Sequence, residues 1–192
     1  MPKQIEKQLV EDYIAEKLQG LDWKFVEASE LKRENARDPL LIDNFKEAVL
    51  RINKNLNLGE EEIKKVVDEI KLLTSGQEGI KKFLYFLKYG IGIKFEKERI
   101  VKTVSLFDFE NIENNEFIFS RQVHHKEKDL IIPDIILYIN GIPLVDIECK
   151  SPTSLRVSWE EGYRQIKKYE ELAPELYKYI QIGIAFAEKV RY

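Results

Sequence analysis

Cysteine is nearly absent from this chain: Cys149 stands alone among 192 residues. No internal disulfide can form, and a reducing compartment is the natural expectation. Long apolar runs are missing too. No stretch approaches the ~20 residues that a membrane-spanning helix needs, and the opening MPKQIEKQLVEDY lacks the apolar core of a secretory signal. The sequence therefore predicts a soluble, cytoplasmic protein. Charge of one sign is not in excess, since 31 basic and 34 acidic residues leave a net charge of −3. That balance removes the broad basic signature of nucleic-acid binding, although a local basic groove is compatible with it. Neither G-x-x-x-x-G-K-[ST] nor G-x-G-x-x-G occurs, which argues against phosphate-loop ATP hydrolysis and dinucleotide binding. There is no internal repeat and no low-complexity stretch.

The chain is long enough for one domain, or one domain with a helical annex, and 44% hydrophobic residues can build a core without covalent staples. Residues 3–19 place Ile5, Leu9, Val10, Tyr13, Ile14 and Leu18 at helical spacing. Asp38-Pro39 signals a second helix over about 40–56, and a third follows Gly59 with Ile63, Val66, Val67, Ile70 and Leu73 on one face. A fourth spans about 77–89 and stops at Gly90. The charges of 60–73 read as a solvated helix face. From Gly90 the pattern changes. Segments 91–95, 99–107 and 116–124 are rich in Ile, Val, Phe and Thr and predict strands. Two short apolar runs, 134–139 and 144–149, flank Asn140-Gly141-Ile142-Pro143, a strong hairpin signal. A helix over about 159–172 and a strand near 179–186 complete a mixed α/β or α+β order.

Chemistry concentrates on the hairpin. In Leu144-Val145-Asp146-Ile147-Glu148-Cys149-Lys150, strand alternation puts Asp146, Glu148 and Lys150 on one face. Carboxylates suit a hard divalent cation such as Mg²⁺, and an adjacent ammonium helps orient a nucleophile or stabilise charge at a phosphodiester. Asp134, after Pro133, is the candidate second carboxylate. Register decides whether it joins. A two-residue turn alone sets Asp134 opposite Ile147, whereas a three-residue loop or one bulge sets it opposite Glu148. Because Pro143 fits a tight ladder badly, the longer loop is expected. The plain alternative is a half-solvated strand with a charged outer face. On the next helix Gln165 and Tyr169 share a face, where they can reach phosphate or sugar oxygens. Read plainly, they are an exposed helix former and a core aromatic. His124 and His125 point opposite ways on a strand, cannot share one metal, and are expected at the rim. Ser151, Ser154 and Ser158 lack a local His/Asp partner, so serine nucleophile chemistry is unsupported.

Taken together, IIPDIILYINGIPLVDIECKSPT, YRQIKKY and PELYKYIQIGIAF resemble the nuclease region of type I restriction enzyme R subunits, a branch of the PD-(D/E)xK nucleases. QLVEDYIAEKLQGLDW is similar to that family's first helix, and FDFENIENNEFIFSRQV to the strands before the hairpin. The resemblance implies a restriction-endonuclease-like core, a mixed sheet flanked by helices. Residues 1–20 would be the first core helix, 38–90 a helical insertion and 91–192 the sheet core, all in one nuclease domain. It also implies Asp134 and Glu148 as metal-binding carboxylates, Lys150 as the catalytic lysine, and Gln165 and Tyr169 as accessory residues. Glu11 falls where the first helix of the family carries a glutamate that can approach the site. Cys149 departs from the family's usual aliphatic residue, which a small buried thiol accommodates. Expected partners are double-stranded DNA and modification and specificity subunits. ATP would be used only in motor domains beyond Arg191-Tyr192, where the chain reads as truncated. The rival expectation is a non-catalytic DNA-binding or docking domain of the same fold.

Overall fold

The computed structural model describes residues 3–150 and 159–187, with side chains described from residue 8 to residue 186 within those ranges. Ser151, Ser154 and Ser158 lie outside them. Six helices occur among the described residues: α1 (Lys3–Gln19), α2 (Ile42–Ile52), α3 (Glu60–Lys71), α4 (Gln77–Tyr89), α5 (Trp159–Leu172) and α6 (Pro174–Tyr177). The described strands are β1 (Lys24–Phe25), β2 (Ile91–Phe95), β3 (Ile100–Val104), β4 (Phe117–Arg121), β5 (His125–Lys126), β6 (Leu130–Ile131), β7 (Ile135–Ile139), β8 (Ile142–Lys150) and β9 (Ile182–Ala187).

Local chemistry explains the helix boundaries. Gly59 opens α3, and its N–H donates to the Glu62 carboxylate at 3.0 Å. Glu60, Glu61 and Glu62 fill the first turn and Lys71 the last, matching the helix dipole at both ends. At the end of α4, Gly90 takes φ +77°, and a Cβ there would lie 2.6 Å from the Val104 carbonyl oxygen. Only glycine turns the chain from α4 into β2 so tightly. The helix expected over 40–56 is broken at Asn53, which leaves a 3₁₀ turn at Lys54–Leu56. The Asn53 amide donates to the Val49 and Ser105 carbonyls at 2.8 Å each and accepts from the Ser105 N–H at 2.9 Å. A buried polar side chain that satisfies three backbone groups outweighs continued helix.

The main sheet has five strands in the order β1-β4-β7-β8-β9. Its centre is antiparallel, while β1 on β4 and β9 on β8 are parallel. This mixed sheet flanked by helices is the restriction-endonuclease-like arrangement expected. On one face α1 packs Val10 against Ile135, Leu137, Ile147 and Cys149. On the other, α5 and the α6 region pack Ile166, Leu176 and Ile180 against Ile118, Ile136 and Tyr138. Helices α2, α3 and α4 form a further cluster with the β2–β3 hairpin, and Ile142 and Leu144 of β8 extend into it. No described helix is long and apolar enough to cross a membrane.

The helical cluster is tied to the core by an unanticipated segment. Helix α6 carries the chain into Lys178, whose ammonium is almost wholly buried. It donates to the Leu73 carbonyl at 2.8 Å, to the Lys71 carbonyl at 3.0 Å and to Glu175 at 2.7 Å. The Tyr179 hydroxyl donates to the Ile70 carbonyl at 2.9 Å. These donors satisfy carbonyls that the end of α3 leaves open.

His125 is not at the rim. It is buried in the short β5–β6 hairpin, with Nε2 2.7 Å from Glu127, while His124 is exposed. Glu127 also accepts the N–H groups of Glu175 and Leu176 at 3.1 Å each. Burial lowers the His125 pKa below its usual 6.5 and outweighs the raising effect of Glu127; Arg33 adds to the lowering and Asp38 opposes it. The unfolded chain therefore binds a proton that the folded one refuses, so the His125 contribution is complete above about pH 6.5 and is lost as pH falls below it. Urea melts at several pH values are expected to show a wild-type slope that His125→Gln lacks, at most about 1.4 kcal/mol per pH unit.

Candidate active site

The geometry begins at the hairpin turn. Asn140 (φ +53°) and Gly141 (φ +76°) form a tight two-residue turn with Ile139 opposite Ile142, so the expected longer loop is not there. Primed turns of this kind match strand twist, and Asn-Gly is their preferred pair. The buried Asn140 side chain holds the turn, donating to the Leu106 carbonyl at 3.0 Å and to Asn115 Oδ1 at 2.8 Å, and accepting from the Glu116 N–H at 2.8 Å. Pro143 still pairs with Tyr138, but the register then shifts by one residue: Leu137 pairs with Val145 and Leu144 is the extra residue. The bulge does what the loop was expected to do. Ile135 faces Ile147, and Asp134, one residue earlier, comes to the level of Glu148.

Hydrogen bonds confirm the juxtaposition. The Asp134 N–H donates to Glu148 Oε1 at 3.4 Å, and the Cys149 N–H donates to Asp134 Oδ2 at 2.9 Å. Both carboxylates are buried, at 1% and 0% exposure. Lys150 lies on the same face, 3.4 Å from Glu148 Oε2, and its ammonium also donates to Gln165 Oε1. Gln165 Nε2 donates to the Tyr169 hydroxyl at 2.9 Å, and that hydroxyl donates to the Ile132 carbonyl at 3.3 Å. The five residues Asp134, Glu148, Lys150, Gln165 and Tyr169 thus form one connected network. Burial, and then the Glu148 charge, raise the Tyr169 pKa, keeping it a neutral hydroxyl. Gly162 lets α5 approach: a Cβ there would lie 2.8 Å from the Ala185 Cβ and 3.5 Å from the Lys150 Cε.

Glu11 reaches the same place from α1. Its carboxylate is 5% exposed and accepts from Gln122 Nε2 at 3.0 Å and from Arg121 at 3.1 Å. Asp146 shares the face of Glu148 but does something else. It is buried, accepts a very short hydrogen bond from the Tyr177 hydroxyl, and has a second oxygen, Oδ1, without a hydrogen-bond partner. Burial pushes its carboxyl up to about 7, Asp134 adds to the rise, and Tyr177 and Lys150 oppose it. Cys149 is buried, as a small thiol in that position should be.

Sequence reasoning missed Gln122, Arg121 and Tyr177. Gln122 sits just past β4 with a left-handed backbone (φ +52°), which aims its side chain where strand alternation does not. The carboxylate pair, with an ammonium beside it, offers hard oxygen donors of the kind Mg²⁺ takes. Among the described residues no group of three or more His, Cys, Asp or Glu side chains is arranged to hold a metal. Two carboxylates fit an ion that keeps several waters and binds substrate phosphate.

Residues 3–192 match the family model described as "Type I restriction enzyme R protein N terminus". The chain belongs to that family. Among its relatives is a protein of Methanocaldococcus jannaschii named, provisionally, as the endonuclease subunit of the type I restriction enzyme MjaVIIIP. It is 35% identical over 189 residues, which cover 95% of this chain and 18% of the relative. The HindI type I restriction enzyme endonuclease subunit of Haemophilus influenzae is 26% identical over 185 residues, covering 90% of this chain and 17% of its own length. The chain thus spans less than a fifth of these relatives.

Proposed function

We propose that this chain is the nuclease domain of a type I restriction enzyme R subunit, and that it hydrolyses DNA phosphodiester bonds without sequence preference of its own. The observation that carries the reading is the bulged register, which sets Asp134 beside Glu148 on the face that holds Lys150. Asp134 and Glu148 would bind Mg²⁺, which when present polarises the scissile phosphate and lowers the pKa of a bound water. Gln165 and Glu148 hold the Lys150 ammonium at the rim of that site, where it can donate to a phosphate oxygen or orient the attacking water. Tyr169 fixes Gln165 from behind. The domain acts in the cytoplasm within a larger assembly. ATP-driven motor domains supply movement along double-stranded DNA, and specificity and modification subunits supply site recognition.

In an R subunit carrying this domain, assembled with its partner subunits, Lys150→Met is expected to abolish cleavage of plasmid DNA in Mg²⁺ while DNA-dependent ATP hydrolysis continues. Methionine keeps the stem length and removes the charge. Cleavage at the wild-type rate would remove Lys150 from the chemistry and favour a docking role for the domain.

A further inference from the structure

We propose that Gln122 is a positioning residue that couples Glu11 of α1 to Asp134, so that the seating of α1 sets the aim of a metal-binding carboxylate. The inference rests on the metal-nuclease reading above and adds a control point to it. Gln122 is an exposed residue, yet its amide turns inward, donating to Glu11 Oε1 at 3.0 Å and to Asp134 Oδ1 at 3.3 Å. Between two carboxylates only the NH₂ end of an amide fits, so the orientation is chemically determined. The Gln122 backbone N–H also donates to the Asp134 carbonyl at 2.9 Å.

Each oxygen of Asp134 therefore receives one N–H, Oδ1 from Gln122 and Oδ2 from Cys149, which fixes the plane of the carboxylate. Without Gln122 the group loses the N–H on Oδ1 and turns more freely about its terminal torsion, which is intrinsically soft. Glu11 is fixed in turn by Arg121, which also binds Asp12 at 2.6 Å. Helix α1 packs on the sheet face opposite α5. The Glu11–Gln122–Asp134 chain thus links the two sides of the sheet at the end where the site lies. Outer groups of this kind orient a ligand without touching the ion, and their loss typically weakens binding.

The test measures Mn²⁺ dissociation constants by electron spin resonance on the 192-residue chain. It compares wild type, Gln122→Met, Glu11→Ala, the double variant, and Asp134→Ala as reference. Gln122→Met is expected to weaken Mn²⁺ about 10-fold, at the low end for such supporting residues, with the metal-free melting temperature unchanged. The double variant should bind no more weakly than the weaker single variant. Glu11→Ala reads the same link from the helix, so the result does not hang on one variant. Wild-type affinity in Gln122→Met, with binding lost in Asp134→Ala, would overturn the coupling and leave the metal site standing. Strictly additive losses in the double variant would also overturn it. Absence of saturable binding in wild type would remove the metal reading and this inference with it.

Discussion

Asp134→Ala is expected to lower DNA cleavage by the assembled restriction enzyme at least about 1000-fold, beyond the roughly 10- to 100-fold typical of losing a residue that only supports a ligand. ATP hydrolysis should stay at its wild-type rate. The size of the effect follows from the position of Asp134 at the level of Glu148, with its side chain buried and held by two N–H groups. The alanine variant has a second consequence. It removes the carboxylate that accepts from the buried Cys149 N–H, at about 1–3 kcal/mol. Asp134→Asn separates the two effects, because its side-chain carbonyl can still accept that bond while the negative charge is gone. Denaturant melts and cleavage assays on both variants check this: Asn should retain most of the stability and Ala less, while neither cuts. If the Asn variant cuts at the wild-type rate, the charge of Asp134 is not used in the reaction.

Lys178→Met is expected to destabilise the fold by about 2–4 kcal/mol, from the loss of a buried donor to two backbone carbonyls at the end of α3. Methionine fills nearly the same volume, so the loss reports hydrogen bonding and not a cavity. Leu73 and Lys71 lose their donor at the end of α3, whereas Glu175 is half exposed and rehydrates readily. For a chain of this size the melting temperature should fall by roughly 5–15 °C. Calorimetry reads it directly. A variant that melts with wild type would show that the Lys178 hydrogen bonds do not hold the end of α3.

Much of the fold was legible because periodicity is local. Helices α1, α4 and α5 and strand β2 follow from spacing and from stop signals such as Gly90. What could not be read depends on partners distant in sequence. Asn53 ends a helix because Ser105 offers backbone groups to bond. Lys178 is buried because α3 ends beside it. The site shows the same division. Asp134, Glu148, Lys150, Gln165 and Tyr169 come together as a network, and each could be named from residue type and spacing. The device that joins them could not, because a bulge at Leu144 and a longer loop give the same alignment of Asp134 with Glu148. The bulge allows Asn140-Gly141 to keep its preferred tight turn while Pro143 still pairs with Tyr138. Gln122 was missed because a left-handed residue at the end of β4 breaks the alternation on which strand reasoning relies.

Metal binding reads the pairing of Asp134 with Glu148 without any of the partner subunits. The chain, Asp134→Ala and Glu148→Ala are titrated with Mn²⁺ by calorimetry. Saturable binding is expected in the wild-type chain and none in either variant, each folded as judged by circular dichroism. Identical titrations in all three proteins would contradict it, because the two carboxylates that the bulge brings together would then not be the site of the ion.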